Sequence, residues 1–435
     1  MNAALDGLDR RARIAQLFVV GVPADQPDRG AELAGQGVGG TFLAGRPRAS
    51  ADELARLTAG WQERSTGPEL WIAVDQEGGS VQSLQGPGFD RLPPATAQGD
   101  LPADQLTALA GTLGDQLAGA GVNLNLAPVV DVVPAGTEST NGPIGSFDRQ
   151  YGATAAEVVP AATAIVDGLA DAGITSTLKH FPGLGRVRGN TDDTPDVVDA
   201  ETAAGDDSVA AFAGTLAGTA AADPMVMLSS ATYARIDPAN RAAFSPVVVR
   251  DLLRGELGFT GPVISDDLGA ATAVEDVPVG ERAVRFVGAG GTLVLTVDPA
   301  TFPAMLDAVV ARDAADPAFA ATVDDAVRTA LLAKAIARNV AFGPESAGLS
   351  RKEVAARTER WLAAVGVAFL LGAALAALAA LLEMHPVDQV DDLHVPRQHA
   401  LHQLDRPGLQ RLRHERMVRV AEGMRGDVPG ILPVE

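Results

Sequence analysis

Residues 246–268 read PVVVRDLLRGELGFTGPVISDDL, from Pro246 through Gly258 and Pro262 to Asp266, Asp267 and Leu268. Proline at the front fits the first position of a helix, where a missing N–H costs nothing. The run 247–257 carries helical patterning, and Gly258 fits the C-cap that ends it. Residues 262–265 then form a short, mostly apolar strand, and two carboxylates follow at once. This is a helix, a glycine stop, a strand buried on both faces, and acid at the strand's C-terminal end.

The same unit recurs along the chain. Apolar β-rich runs occupy 16–22, 39–44, 70–74, 122–127, 174–179, 225–229, 262–265 and 292–297. Helical patterning fills the gaps, as in 103–120 and 161–172, after Pro102 and Pro160 and before Gly121 and Gly173. Eight β–α units predict an α/β fold of the (β/α)8 TIM-barrel type over residues 1–343. The alternative is an open doubly wound sheet, which normally brings a glycine fingerprint between an early strand and a helix. Gly288, Gly290 and Gly291 precede a strand instead.

Composition limits the chemistry. The 435 residues carry 55 acidic and 34 basic side chains, a formal charge of −21, which argues against nucleic acid and other polyanions as ligands. With no cysteine, disulfides, thiol nucleophiles, Cys-ligated metals and Cys-linked lipid anchors are excluded. His180 is the only histidine before residue 385, so a zinc or iron site is disfavoured in the body. A Ser–His–Asp triad is disfavoured too, because no G-x-S-x-G turn is present.

Two segments bear on location. Arg10, Arg11 and Arg13 precede the apolar run 14–22, but that run is short and interrupted by Gln16, so a buried strand is expected rather than a secretory signal. Residues 361–382 hold no charge and no proline, long enough to span a bilayer but rich in alanine. A membrane anchor and a buried or oligomer-forming helix both stay open. Arg351, Lys352, Arg357 and Arg360 lie just before it, which for a spanning helix keeps the body cytoplasmic. Residues 344–360 read as a linker. Residues 383–435 change in composition, either as a poorly ordered appendage or as non-native coding.

Polar groups gather where strands end, which is where barrels carry active sites. Strand three runs into Asp75-Gln76-Glu77-Gly78-Gly79, strand four leads to Asp131, strand five ends in Lys179-His180, strand six in Ser229-Ser230, and strand seven in Asp266-Asp267. Ser229 and Asp131 read as ordinary polar loop starts. Carboxylates at a barrel mouth beside one Lys-His pair suggest glycosidic bond cleavage, which needs a nucleophile and a general acid/base.

Three of these segments carry a resemblance. LKHFPGLGR (178–186), AVDQEGG (73–79) and ISDDL (264–268) resemble, in order, motifs of glycoside hydrolase family 3, and the likeness spans about 10–340. It is nearest to the single-barrel β-N-acetylglucosaminidases. The resemblance implies a retaining exo-hydrolase with a small carbohydrate substrate, most readily a terminal N-acetylglucosamine on a cell-wall fragment, and no metal or organic cofactor. It implies Asp266 as nucleophile and Asp75, Arg149, Lys179 and His180 as sugar-binding residues. Where relatives carry Asp-Ser-His after the 178–186 motif, this chain has Asn190, Thr191 and Asp192. The acid/base is therefore expected to be Asp192, or its neighbour Asp193. Ser80 and Ser83 also stand where relatives carry arginine. The readings left open beside this one are a β-glucosidase- or β-xylosidase-like enzyme, a phosphorolytic transferase, and a catalytically weak, membrane-tethered sugar binder. Gly183, Gly185 and Gly189 suggest a mobile loop or a plain turn. The oligomeric state is not legible.

Overall fold

The computed structural model describes residues 8–219 and 223–347. Eight parallel strands form one sheet: β1 (Phe18–Pro23), β2 (Gly40–Ala44), β3 (Trp71–Val74), β4 (Leu124–Asn125), β5 (Thr175–Phe181), β6 (Met225–Leu228), β7 (Val263–Ser265) and β8 (Val294–Thr296). Neighbours follow chain order from β1 to β7, and β8 pairs with β1 in parallel, Phe18 opposite Val294. The seam between β7 and β8 is closed by a parallel bridge of Ile264 with Leu293 and by the bond from the Ser265 N–H to the Leu293 carbonyl, 2.9 Å. The expected (β/α)8 barrel is what forms, and the open sheet is not.

The strands are continuous apolar runs because helices cover their outer faces. In β3 and β6 all four residues are buried, and in β2 all five. Each strand is followed by a helix; the longest before the C-terminal one are Ala103–Gly119 and Ala155–Asp171. The latter corrects the expected start at Pro160. Thr154 caps it, accepting from the Glu157 N–H while the Glu157 carboxylate accepts from the Thr154 N–H. Pro160 lies inside the helix and forgoes one main-chain bond. The segment after β6, Val247–Glu256, is wound as a π-helix and buries Val248, Val249, Leu252 and Leu253.

At the N-terminus, Arg10–Ala15 is a short helix capped by Asp9, and β1 begins only at Phe18. Gln16 is fully buried between them. Its amide donates to the Gly37 carbonyl (2.9 Å) and its oxygen accepts from Lys334 Nζ (2.9 Å). The helix Pro317–Ala347 runs through Phe342, Gly343 and Pro344, where the sequence suggested the body ends. Among the described residues no helix is long and apolar enough to cross a membrane. The candidate span 361–382 and the tail 383–435 lie outside the described residues.

Candidate active site at the strand C-termini

A cavity of about 360 Å³ opens where the strands end. It is lined by Asp75, Arg149, Lys179, His180, Asp192 and Asp266, together with the apolar side chains of Phe42, Leu126 and Met227. All six residues singled out in the sequence therefore face one space.

Beyond β3 the chain makes a tight hairpin, Gln76–Gly78 against Val81–Gln82. Its turn needs positive φ at Gly78 (108°) and Gly79 (54°), which glycine adopts without steric cost. Asp75 and Glu77, two residues apart on extended chain, point to the same side. Both reach Lys179 Nζ on β5, at 2.6 Å each. Glu77 is also gripped by Arg149, whose Nε and Nη2 bond to its two oxygens at 2.8 and 2.7 Å. The remaining nitrogen, Nη1, donates to the Pro143 carbonyl at 2.8 Å.

The four charges cancel. Burial pushes the Glu77 carboxyl up, but the two cations outweigh it and hold it down at about 2. Burial pulls Lys179 down, and the Asp75 and Glu77 carboxylates overcome this, so the ammonium is kept. Arg149 is likewise raised by Glu77 against its burial. After these bonds Lys179 keeps one N–H, Arg149 keeps two, and Asp75 keeps Oδ2. Glu77 was absent from the sequence-based site. Its signal was its place two residues after Asp75, on the same face.

His180 stands beside Lys179 and meets Asp131, which in the sequence alone reads as an ordinary loop start. The structure corrects this. Asp131 is fully buried, its Oδ2 lies 2.7 Å from His180 Nδ1, and its Oδ1 accepts from the main-chain N–H of His180 (3.1 Å) and of Leu184 (2.7 Å). A charge without solvent persists only with such partners.

At the far end, adjacent carboxylates divide their work. Asp267 is turned into the wall and accepts main-chain N–H bonds from Gly269 (2.8 Å), Ala270 (3.0 Å) and Val297 (2.8 Å), tying the loop after β7 to the end of β8. Asp266 faces the cavity and accepts only the Asp267 N–H, at 2.9 Å. Burial raises its carboxyl to about 6; a positive charge on His180 would work against this, and Asp192 adds to it by like-charge repulsion.

Asp192 belongs to the loop after β5. Main-chain bonds fasten that loop across the cavity: the Ala273 N–H to the Thr191 carbonyl and the Thr272 N–H to the Asp192 carbonyl, both 3.0 Å. Asn141 holds its other limb by donating to the Leu184 (2.8 Å) and Val187 (2.7 Å) carbonyls. The glycines serve close approach here. A Cβ at Gly185 would stand 1.8 Å from the Val132 carbonyl oxygen. Asp193 is not part of the cavity lining, and its carboxylate accepts from the Thr194 hydroxyl (2.8 Å).

A cavity lined by charge-fixed donors and acceptors at one end and by free carboxylates at the other is built for a hydroxyl-rich ligand and for acid–base work on it. The comparisons agree. Residues 10–330 match the model of the glycosyl hydrolase family 3 N-terminal domain. A beta-hexosaminidase of Stenotrophomonas maltophilia is 36% identical over 285 residues, 63% of this chain and 81% of that protein. The crystal structure of a β-N-acetylhexosaminidase from Beutenbergia cavernae superposes with a TM-score of 0.71 at 45% identity, covering 75% of this chain and 99% of that one. A family 3 β-N-acetylglucosaminidase from Paenibacillus sp. FPU-7 gives 0.69 at 28% identity, covering 81% and 68%. With three quarters of its length in that family's model, the chain belongs to glycosyl hydrolase family 3.

Proposed function

We propose that the protein is a retaining exo-glycosidase that removes a terminal β-linked N-acetylhexosamine, N-acetylglucosamine in particular, from cell-wall fragments or small glycosides. The observation that carries this is the contrast between the paired aspartates after β7. Asp267 spends its oxygens on three main-chain donors, whereas Asp266 presents a nearly free carboxylate to the cavity. The relatives of high coverage, named for hexosaminidase activity, supply the choice of sugar.

The reaction follows from the residues. Asp75 Oδ2, the spare N–H groups of Lys179 and Arg149, and the His180 ring pair with the hydroxyls of the terminal sugar. Because Lys179 and His180 are buried and Asp75 and Arg149 half-buried, a sugar lacking a partner leaves one of them unpaired, which is how such a site discriminates. Asp266 attacks the anomeric carbon and forms an ester as the glycosidic C–O bond breaks. Asp192, protonated, gives its proton to the leaving oxygen. In the second step Asp192, now a carboxylate, takes a proton from water as that water's oxygen attacks the anomeric carbon and releases Asp266. Asp192 is exposed at the cavity mouth, where leaving group and water pass. Asp266 and Asp267, and Asp192 as its proton leaves, bring only negative charge to this end, which favours the positive charge developing on the sugar.

The test is chromophore release from aryl β-N-acetylglucosaminide and aryl β-glucoside by the full chain, beside Asp266→Ala and Asp192→Asn. Turnover of the first substrate is expected, abolished in Asp266→Ala and lowered by about 10²–10⁴ in Asp192→Asn. No turnover of either glycoside by the folded wild-type protein would overturn the proposal. Undiminished turnover in Asp192→Asn would remove Asp192 from the acid/base role.

A further inference from the structure

We infer that Asp131 is a positioning residue: its carboxylate holds the His180 ring with the proton on Nδ1, so that Nε2 is the nitrogen offered to the sugar. The inference rests on the hydrolytic reading above and adds to it a residue that touches no substrate.

The geometry leaves little freedom. Asp131 Oδ1 is occupied by two main-chain N–H groups, those of His180 and Leu184. Oδ2 is left facing His180 Nδ1 at 2.7 Å. A carboxylate only accepts, so the ring nitrogen must be the donor and Nδ1 must carry hydrogen. His180 is thereby clamped twice by one side chain, at its main chain and at its ring. The third bond, to Leu184, fixes the start of the loop that carries Asp192, and Leu184 itself lines the cavity. One fully buried carboxylate thus sets the ring that meets the sugar and the root of the loop bearing the proposed acid.

Asparagine separates this role from that of a mere buried brace. Asp131→Asn keeps the shape but has one oxygen. The two main-chain donors claim it, so the amide NH2 faces the ring and donates. Nδ1 must then be the unprotonated nitrogen, and Nε2–H points into the cavity as a donor where an acceptor stood. A purely structural carboxylate would leave the tautomer alone.

The test is imidazole ¹⁵N NMR on the full chain, with the His180 signals identified by their loss in His180→Gln. In wild type, protonated-type Nδ1 and unprotonated Nε2 are expected. In Asp131→Asn the two exchange, and kcat/KM on the aryl β-N-acetylglucosaminide falls by about ten- to a hundredfold, the range of one mispaired buried hydrogen bond. The wild-type spectrum stands even where Asp131→Asn does not fold: a neutral His180 protonated on Nε2 overturns the inference. So does a folded Asp131→Asn with unchanged tautomer and unchanged kcat/KM. Wild-type protein showing the expected tautomer but no turnover overturns the hydrolytic reading instead.

Discussion

Replacing Asp266 with Asn is expected to abolish turnover and, at neutral pH, to stabilise the fold. The structure places this carboxyl at about 6, above its ordinary 3.8, because of burial and the nearby Asp192 charge. An acid with a raised folded-state value binds its proton more tightly when folded. Between about pH 4 and 6 the folded protein therefore loses stability as pH rises, and above 6 the full cost is present. At about 1.4 kcal/mol per pH unit the cost reaches about 3 kcal/mol, and solvent entering the open cavity reduces it to about 1–3 kcal/mol. Asn has the same shape and can keep the bond from the Asp267 N–H. Taking about 2 cal/mol/K per residue for the unfolding entropy, a barrel of this size gains about 1–4 °C in Tm. The assay is calorimetry of wild type and Asp266→Asn at pH 7 and pH 4. The gain should be present at pH 7 and shrink to a small remainder at pH 4, where the folded state holds the proton and the unfolded carboxyl is about half ionised. An Asn variant that melts below wild type at pH 7, or keeps its full advantage at pH 4, would refute the electrostatic reasoning.

Further outcomes follow from the same geometry. The acid limb of kcat/KM should have its midpoint near pH 6, where Asp266 takes up its proton, and should move lower in the residual activity of Asp192→Asn; a limb that does not move would show that Asp192 is not felt by the nucleophile. Asp267→Ala should lower stability by about 3 kcal/mol or more in urea denaturation, since three main-chain donors lose their acceptor, whereas Asp266→Ala should not. Glu77→Gln leaves Lys179 and Arg149 short of a counter-charge and should cost about 3–5 kcal/mol by the same measurement, with sugar binding weakened. Gly185→Ala drives a methyl into the Val132 carbonyl and should displace the Asp192 loop, lowering kcat with a smaller effect on global stability, read by turnover and Tm together.

The barrel was legible because parallel strands covered on both faces are short apolar runs, and local composition suffices to find them. Boundaries were less so. Pro160 drew the reading of a helix start away from Thr154 and Glu157, whose capping box begins the helix earlier. Among the site residues, those carried in contiguous motifs were found, since strand ends deliver them to one rim. What the sequence could not disclose was which side chains pair between strands. Asp131 meets His180 only because the β4–β5 register sets Val129 beside Lys179. Asp266 and Asp267 are equivalent as letters. They part because donors from 269, 270 and 297 converge on the second alone.

That pairing gives the cavity two electrostatic ends. At one, Asp75 and Glu77 against Lys179 and Arg149 sum to zero, so the groups that meet the sugar are held rigid at little field beyond their own contacts. At the other, Asp192, Asp266 and Asp267 have no basic partner within hydrogen-bond reach among the described residues. Burial raises Asp266 and Asp267, and the nearby Asp192 charge adds to it. A sugar acquiring positive charge at its anomeric carbon offsets that cost, whereas a neutral ground-state sugar does not. In the proposed reaction the energy spent in holding a buried carboxylate without a counter-charge is thereby recovered in the transition state, which is the condition for raising kcat rather than merely tightening binding.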